Sequence, residues 1–232
     1  MEKIWNKGFT KETHPSVLKI SKTMKSKKID NFYNWREEMK RAGKIKDEYL
    51  PFTKGILLAE LIGVVLGDGH IQVFPRTERL TISANSNNQG FIARYYDIVY
   101  KVFGKKPSLI KSKSANCTRI SVYEKFISKR LGVPTGNRKE SSIGIPRWVW
   151  RNKIFLIGCL RGLYEAEGCF VTHKPSYTFK AAFSNRNPKL LKDVYEALQI
   201  LKFSPLYEKY RIMISRKKEF FAMQNLINFR NY

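Results

Sequence analysis

Acidic residues are scarce in this chain: its 232 residues include 19 Asp and Glu against 44 Lys and Arg, a formal charge of +25. Such an excess repels itself unless a polyanion is the usual partner, which points to nucleic acid, an anionic membrane surface or an acidic protein. Long apolar runs are also missing, with no stretch near the roughly twenty residues a membrane span needs. No signal-peptide pattern opens the sequence. Membrane is therefore the weakest of the three partners, and an intracellular location, cytoplasmic or in an organelle matrix and not secreted, is expected. Cysteine is rare. Cys117, Cys159 and Cys169 are odd in number and form no CxxC pair, which argues against a disulfide framework or a zinc site and suits a reducing compartment. His14, His70 and His173 are scattered without ligand spacing.

Repetition is what the chain does have. Leu58 to His70 reads LAELIGVVLGDGH, and Leu156 to Phe170 reads LIGCLRGLYEAEGCF. Each predicts an apolar helix ending in an acid followed by glycine. Ala59, Gly63 and Gly67 recur at every fourth position, as do Gly158, Gly162 and Ala166. On a helix that period makes one smooth stripe, along which two backbones approach closely. The two helices are thus expected to be each other's partners. Run side by side and parallel, they bring Asp68 and Glu167 together at one end, where two carboxylates repel unless a cation lies between them. Gly69 and Gly168 suit a left-handed turn from helix to strand.

The offset of 99 residues between Asp68 and Glu167 pairs further features and indicates a duplicated domain. Asn88 and Asn187 each cap a second amphipathic helix. Strands are expected over His70 to Phe74, Leu80 to Asn85, Cys169 to His173 and Tyr177 to Phe183. Thr118 to Phe126 resembles Ile212 to Phe220 at a shorter offset of 94, so the second half has lost about five loop residues. Arg79, Thr81, Ser83 and Asn85 alternate with Leu80, Ile82 and Ala84, which gives a sheet with one wet and one packed face. Thr178, Lys180, Lys111, Lys113, Arg119, Lys209 and Arg211 extend the wet character. Gln72, Arg76, Thr172 and Lys174 are added as candidate DNA contacts. Two such sheets make either a basic saddle for duplex DNA or a merely solvated surface.

With both copies in view, the chain resembles the LAGLIDADG homing endonucleases of the single-chain, two-motif kind. The carrying residues are Gly63, Asp68 and Gly69 in one copy and Gly162, Glu167 and Gly168 in the other. The resemblance implies an α+β fold: a pseudo-twofold duplication of an αββαββα unit, with two antiparallel sheets forming a saddle and the motif helices packed at the interface. It also implies a monomeric, site-specific double-strand DNA endonuclease. Asp68 and Glu167, with Gly69 and Gly168, would hold two or three Mg2+ ions, for which Mn2+ can substitute. Family members add a lysine near the end of the fourth strand, here Lys217 or Lys218; the first half departs from this, with Tyr123 and Glu124 in its place. Glu165 matches the first acid of the DADG ending, but its counterpart is Leu66, so it is read as a helix-end or supporting group. The alternatives are an intron-RNA-binding maturase or a catalytically silent DNA-binding protein on the same fold. Two intact acids favour the nuclease, and the lack of room for splicing blocks disfavours an intein.

The expected organisation is a basic helical extension (1–53), a first half (54–132), a linker (133–153) and a second half (154–232). In the linker, Trp148 and Trp150 serve either as anchors to the second motif helix or as stacking platforms. The extension predicts a helix starting near Thr13 and Pro15 and a second from Asp30 to Arg41. It resembles the small nuclease-associated modular DNA-binding motifs, and is either a DNA clamp or a helical addition to the core.

Overall fold

In the computed structural model, residues 6–43, 46, 48–112, 114–136 and 142–232 are described. The expected DNA contact Lys113 lies outside them. The chain divides into two compact units, Met1–Tyr49 and Leu50–Tyr232. The first holds helices α1 (Pro15–Ser26) and α2 (Tyr33–Arg41), neither with a buried side chain. His14, not Thr13, caps α1, its ring nitrogen accepting from Ser16 N at 3.2 Å. Thr13 instead closes a turn with Thr10, whose N–H it accepts at 2.8 Å. Asp30 likewise makes a turn through Phe32 N, so α2 begins three residues later than its sequence suggests.

The second unit repeats one pattern twice. Its first half runs α3 (Ile56–Gly67), β1 (Gly69–Phe74), β2 (Thr77–Asn85), α4 (Gln89–Phe103), β3 (Ser108–Lys111), β4 (Cys117–Glu124) and α5 (Ile127–Leu131). Its second half runs α6 (Lys153–Glu167), β5 (Gly168–His173), β6 (Thr178–Ser184), α7 (Pro188–Ile200), β7 (Leu206–Glu208), β8 (Arg211–Ile214) and α8 (Lys217–Ile227). Each half builds one antiparallel sheet, in the order β1-β2-β4-β3 and β5-β6-β8-β7. The fold is thus the α+β duplication the repeat predicts.

The two motif helices form the centre. No other pair of elements shares so extensive a contact as α3 and α6. The small-residue stripe explains how close they come: a Cβ at Gly63 would run into the Cys159 carbonyl, and one at Gly162 into the Glu60 carbonyl. At Gly67 it would meet Ala166 Cβ at 2.5 Å. The helices therefore touch backbone to backbone.

Close approach also explains Gly69 and Gly168, and corrects the expectation of a left-handed turn. Gly168 is extended, at φ −97° and ψ 157°, and Gly69 is absent from the positive-φ residues. A Cβ would instead meet Val65 Cα at 2.5 Å in the first case, and the Tyr164 carbonyl oxygen at 2.6 Å in the second. Each strand folds back so tightly on its own helix that no side chain fits.

Charge is buried in this otherwise apolar interface. Glu60 of α3 is 2% exposed and accepts two bonds of 2.6 Å from Arg94 of α4. Arg161 of α6 lies 3.4 Å from the same carboxylate and donates to Asn231 O at 3.2 Å. Glu165 is buried as well, and accepts from Arg230 N and Tyr232 Oη, both at 2.7 Å. It ties down residues 230–232 instead of closing its own helix, and the Tyr232 ring lies against Gly90 of the first half. The linker is pinned to the second half: Asp193 accepts from Ile145 N at 2.7 Å, and Asn187 donates to Ile143 O at 2.7 Å. Trp148 meets Phe155 of α6 edge to face, and Trp150 donates to Ile145 O at 3.1 Å.

Candidate active site and nucleic-acid interface

Parallel helices ending level place their terminal acids side by side. Burial pushes both carboxyls above their usual range, and for Glu167 the Asp68 charge adds to the effect. A Cβ on Gly67 would lie 3.2 Å from Glu167 Cγ, so the end of α3 abuts the second acid directly. With both carboxyls partly desolvated and the Asp68 charge further raising Glu167, the site is short of positive charge.

An open cavity of 920 Å³ surrounds Glu167, lined by Gly67, His70, Ser184, Asn185, Arg186 and Tyr210 among others. Hairpin geometry brings these residues there. Gly168 opens β5 and pairs with Phe183, so the residues that follow β6 return to the acid where the hairpin began. Asn185 donates its amide to Glu167 Oε1 at a long 3.5 Å, while its Oδ1 accepts from Asn187 N at 2.9 Å. Arg186 is the cation in this cavity. Asn185, Arg186 and Tyr210 were not anticipated, yet an antiparallel hairpin starting just after the acid was signal enough.

Lys217 does not reach this place. Its ammonium lies 5.4 Å from the centre of the Phe179 ring. Phe179 pairs with Thr172, at the other end of the β5–β6 ladder from Gly168. Lys217 and Lys218 open α8 and are exposed. Arg186, and neither of these lysines, lines the cavity that Glu167 lines.

Register sorts the expected DNA contacts by face. On the face of the first sheet opposite its packed residues, His70, Thr81 and Ser121 form one row, and Gln72, Arg79 and Tyr123 the next. Ser83 and Arg119 pair beside them, as do Asn85 and Cys117. Thr81 is buried despite this placement and bonds Ser121 at 3.3 Å. Arg79 is held in position: its guanidinium donates to Gln72 Oε1 at 2.5 Å and to Tyr123 Oη at 3.2 Å, and lies 5.6 Å from the Phe74 ring centre. In the second sheet, Thr178, Lys180, Ser184 and Arg211 share the corresponding face. Two residues differ from expectation. Thr172 pairs with buried Phe179, and Lys111 with buried Thr118, so period-two alternation puts both on the helix-packed side. Arg76, Lys174 and Lys209 occupy exposed hairpin turns, Lys209 over the Tyr210 ring at 5.3 Å.

Among the described residues, no group of three or more His, Cys, Asp or Glu side chains is placed to hold a metal ion. The chain itself offers two carboxylates, and further ligands would have to come from backbone, water or substrate. No helix among these residues is long and apolar enough to cross a membrane.

Duplicated sheets, backbone-packed motif helices and acids at their common end make up a LAGLIDADG-type fold. Residues 155–228 match the family model of the LAGLIDADG-like domain. The fold is shared with solved homing endonucleases. I-WcaI bound to its DNA recognition sequence is 20% identical, with a TM-score of 0.54 over 79% of this chain and 84% of that one. I-DmoI in complex with DNA and Mn is 17% identical, with a TM-score of 0.51 over 74% and 96%. The N-terminal LAGLIDADG domain of DUF199/WhiA is 14% identical, with a TM-score of 0.51 over 76% and 83%. No curated protein matches the sequence significantly.

Proposed function

We propose that this protein is a site-specific DNA endonuclease that hydrolyses phosphodiester bonds with divalent metal ions. The observation that carries this reading is the pair of partly desolvated acids, Asp68 and Glu167, with the Asp68 charge adding to the cost of ionising Glu167. A protein that only binds nucleic acid gains nothing from such a pair, whereas a hydrolase can use it to hold hard cations. The residues fit that group. Both donors are carboxylate oxygens, the local charge is uncompensated, and the cavity is open on one side. Structures of similar fold were solved with DNA and Mn, DNA and Ca, and target DNA with Mg.

Bound metal would polarise the attacking water and stabilise charge on the leaving oxygen. The chain's own groups do the remaining work. Asp68 and Glu167 would hold the ions at the end of the motif helices. Asn185 orients the Glu167 carboxylate, and Arg186 offsets negative charge that builds on the phosphate. The wet faces of the two sheets, led by the preset Arg79, grip the duplex. With +25 formal charges, binding should weaken steeply as salt rises and counterion release loses its advantage.

The test is incubation of the full chain with a randomised duplex library in Mg2+, followed by sequencing of cut ends. Recovery of one long motif with staggered ends supports the reading. Intact DNA at every protein concentration contradicts it.

A further inference from the structure

The two halves differ in most side chains on the saddle faces, but not in the row beside the acids. Extending the β1–β2 pairing by one residue sets Asp68 level with Ser83, and Ser83 pairs with Arg119. The same extension in the second half sets Glu167 level with Ser184, which pairs with Arg211. Each half thus carries an identical row of acid, serine and arginine, and both serines and both arginines are exposed. The next row outward differs, and identity returns only at Thr77 and Thr178 where the hairpins turn. His70, Thr81 and Ser121 in one sheet face Cys169, Ala182 and Met213 in the other.

Building on the endonuclease reading, we propose that Arg119 and Arg211 read guanines placed symmetrically about the cut. The target then has a pseudo-palindromic centre inside non-palindromic flanks. A twofold-related pair of identical donors next to the twofold-related acids can only be satisfied alike by bases related by the same axis. Arginine's planar fork matches the O6 and N7 acceptors that guanine presents in the major groove. The two arginines differ in one neighbour. Glu208, across the ladder on β7, lies 3.9 Å from Arg211, whereas Arg119 pairs with Ile110. Glu208 partly occupies its arginine, so the guanine preference on the Arg119 side is the stronger.

Selection of binding sites from randomised duplex DNA in Ca2+, using the full chain, tests this apart from cleavage. The expected result is one guanine on each strand in inverted repeat about the centre. Arg119→Ala should relax one of these positions by about tenfold and Arg211→Ala the other by less, with the flanks unchanged. Arg119→Lys should lose the preference while keeping the salt dependence of binding, because charge survives and the fork does not. A selected site without the symmetric pair overturns the proposal. So does an Arg119→Ala variant that weakens all sequences equally, which would make the residue a phosphate contact. Selected sites that carry the guanines but resist cutting in Mg2+ would overturn the endonuclease reading and leave this inference standing. A library that yields no preferred sequence overturns both.

Discussion

Around Glu167 the second half gathers Asn185, Arg186 and Tyr210, whereas the same ladder positions counted from Asp68 in the first half hold Ala84, Asn85 and Thr118. Ladder register fixes the correspondence: Gly69 pairs with Ile82 and Ile82 with Ile120, as Gly168 pairs with Phe183 and Phe183 with Ile212. Ala84 has no polar side chain, Thr118 is buried with its hydroxyl 2.9 Å from that of Ser86, and Asn85 carries no charge. Duplication has kept the backbone and the acids but equipped only one acid with an amide and a cation. The same contrast runs through the helix interface. Glu60 in α3 gathers two arginines, and its counterpart at the 99-residue offset is the buried Cys159, whose thiol burial pushes up.

Variants that erase or exchange these differences show which of them matter. The largest effect is expected at what the halves share. Asp68→Asn and Glu167→Gln should each lower the cleavage rate by at least two orders of magnitude, corresponding to several kcal/mol of lost transition-state stabilisation. Arg186→Ala should slow one strand more than the other, and Asn85→Arg should quicken the second strand; single-turnover assays with each strand labelled separately read both. Equal effects on the two strands would mean that the local inventories are not what distinguishes the halves.

Stability follows. Glu60→Ala leaves Arg94 and Arg161 uncompensated in the interface and should cost about 3–5 kcal/mol by urea unfolding. Cys159→Ala removes a small apolar group and should cost far less. If the two prove equal, the buried ion cluster does not organise the helix pair. Gly162→Ala inserts a methyl against the Glu60 carbonyl and should cost about 1–3 kcal/mol. Tyr232→Phe removes one bond to Glu165 and should cost about 1 kcal/mol.

The smallest effect lies in pH dependence. Both acids have folded values raised by burial, so the folded protein keeps protons that the unfolded chain has lost. Their contribution to stability is greatest below the ordinary carboxylate range and declines as pH rises through it towards the raised values. In metal-free buffer, Asp68→Asn should therefore gain on the natural protein as pH rises from 4 to 7, read as the difference between melting temperatures. No change in that difference would show that the acids are better solvated than their setting indicates.

Much of this architecture was legible because it rests on local periodicity. Small residues at every fourth position named the helix pair, and the repeat offset placed Asp68 opposite Glu167. Alternation in Arg79 to Asn85 identified the wet face of the first sheet. Residues that depend on distant partners were not legible. Glu60 and Arg94 lie 34 positions apart, and nothing in either helix alone shows that one buries its charge against the other. Glu165 looked like part of a motif ending but holds a segment 65 residues away. Lys217 was placed by its distance from a strand end, whereas strand direction decides which end lies near the acid. Thr172 and Lys111 were chosen by residue type, and the ladder register assigned them to the other face.

The proposed single catalytic site joins Asp68 and Glu167 at the end of the paired helices. It is tested most directly by comparing the natural protein with Asp68→Asn on a target recovered from the library, measuring cleavage in Mg2+ and binding in Ca2+. The account predicts that cleavage is lost while binding stays within about threefold, since the acid makes no favourable contact with DNA phosphate. Cutting at the normal rate by Asp68→Asn would contradict it.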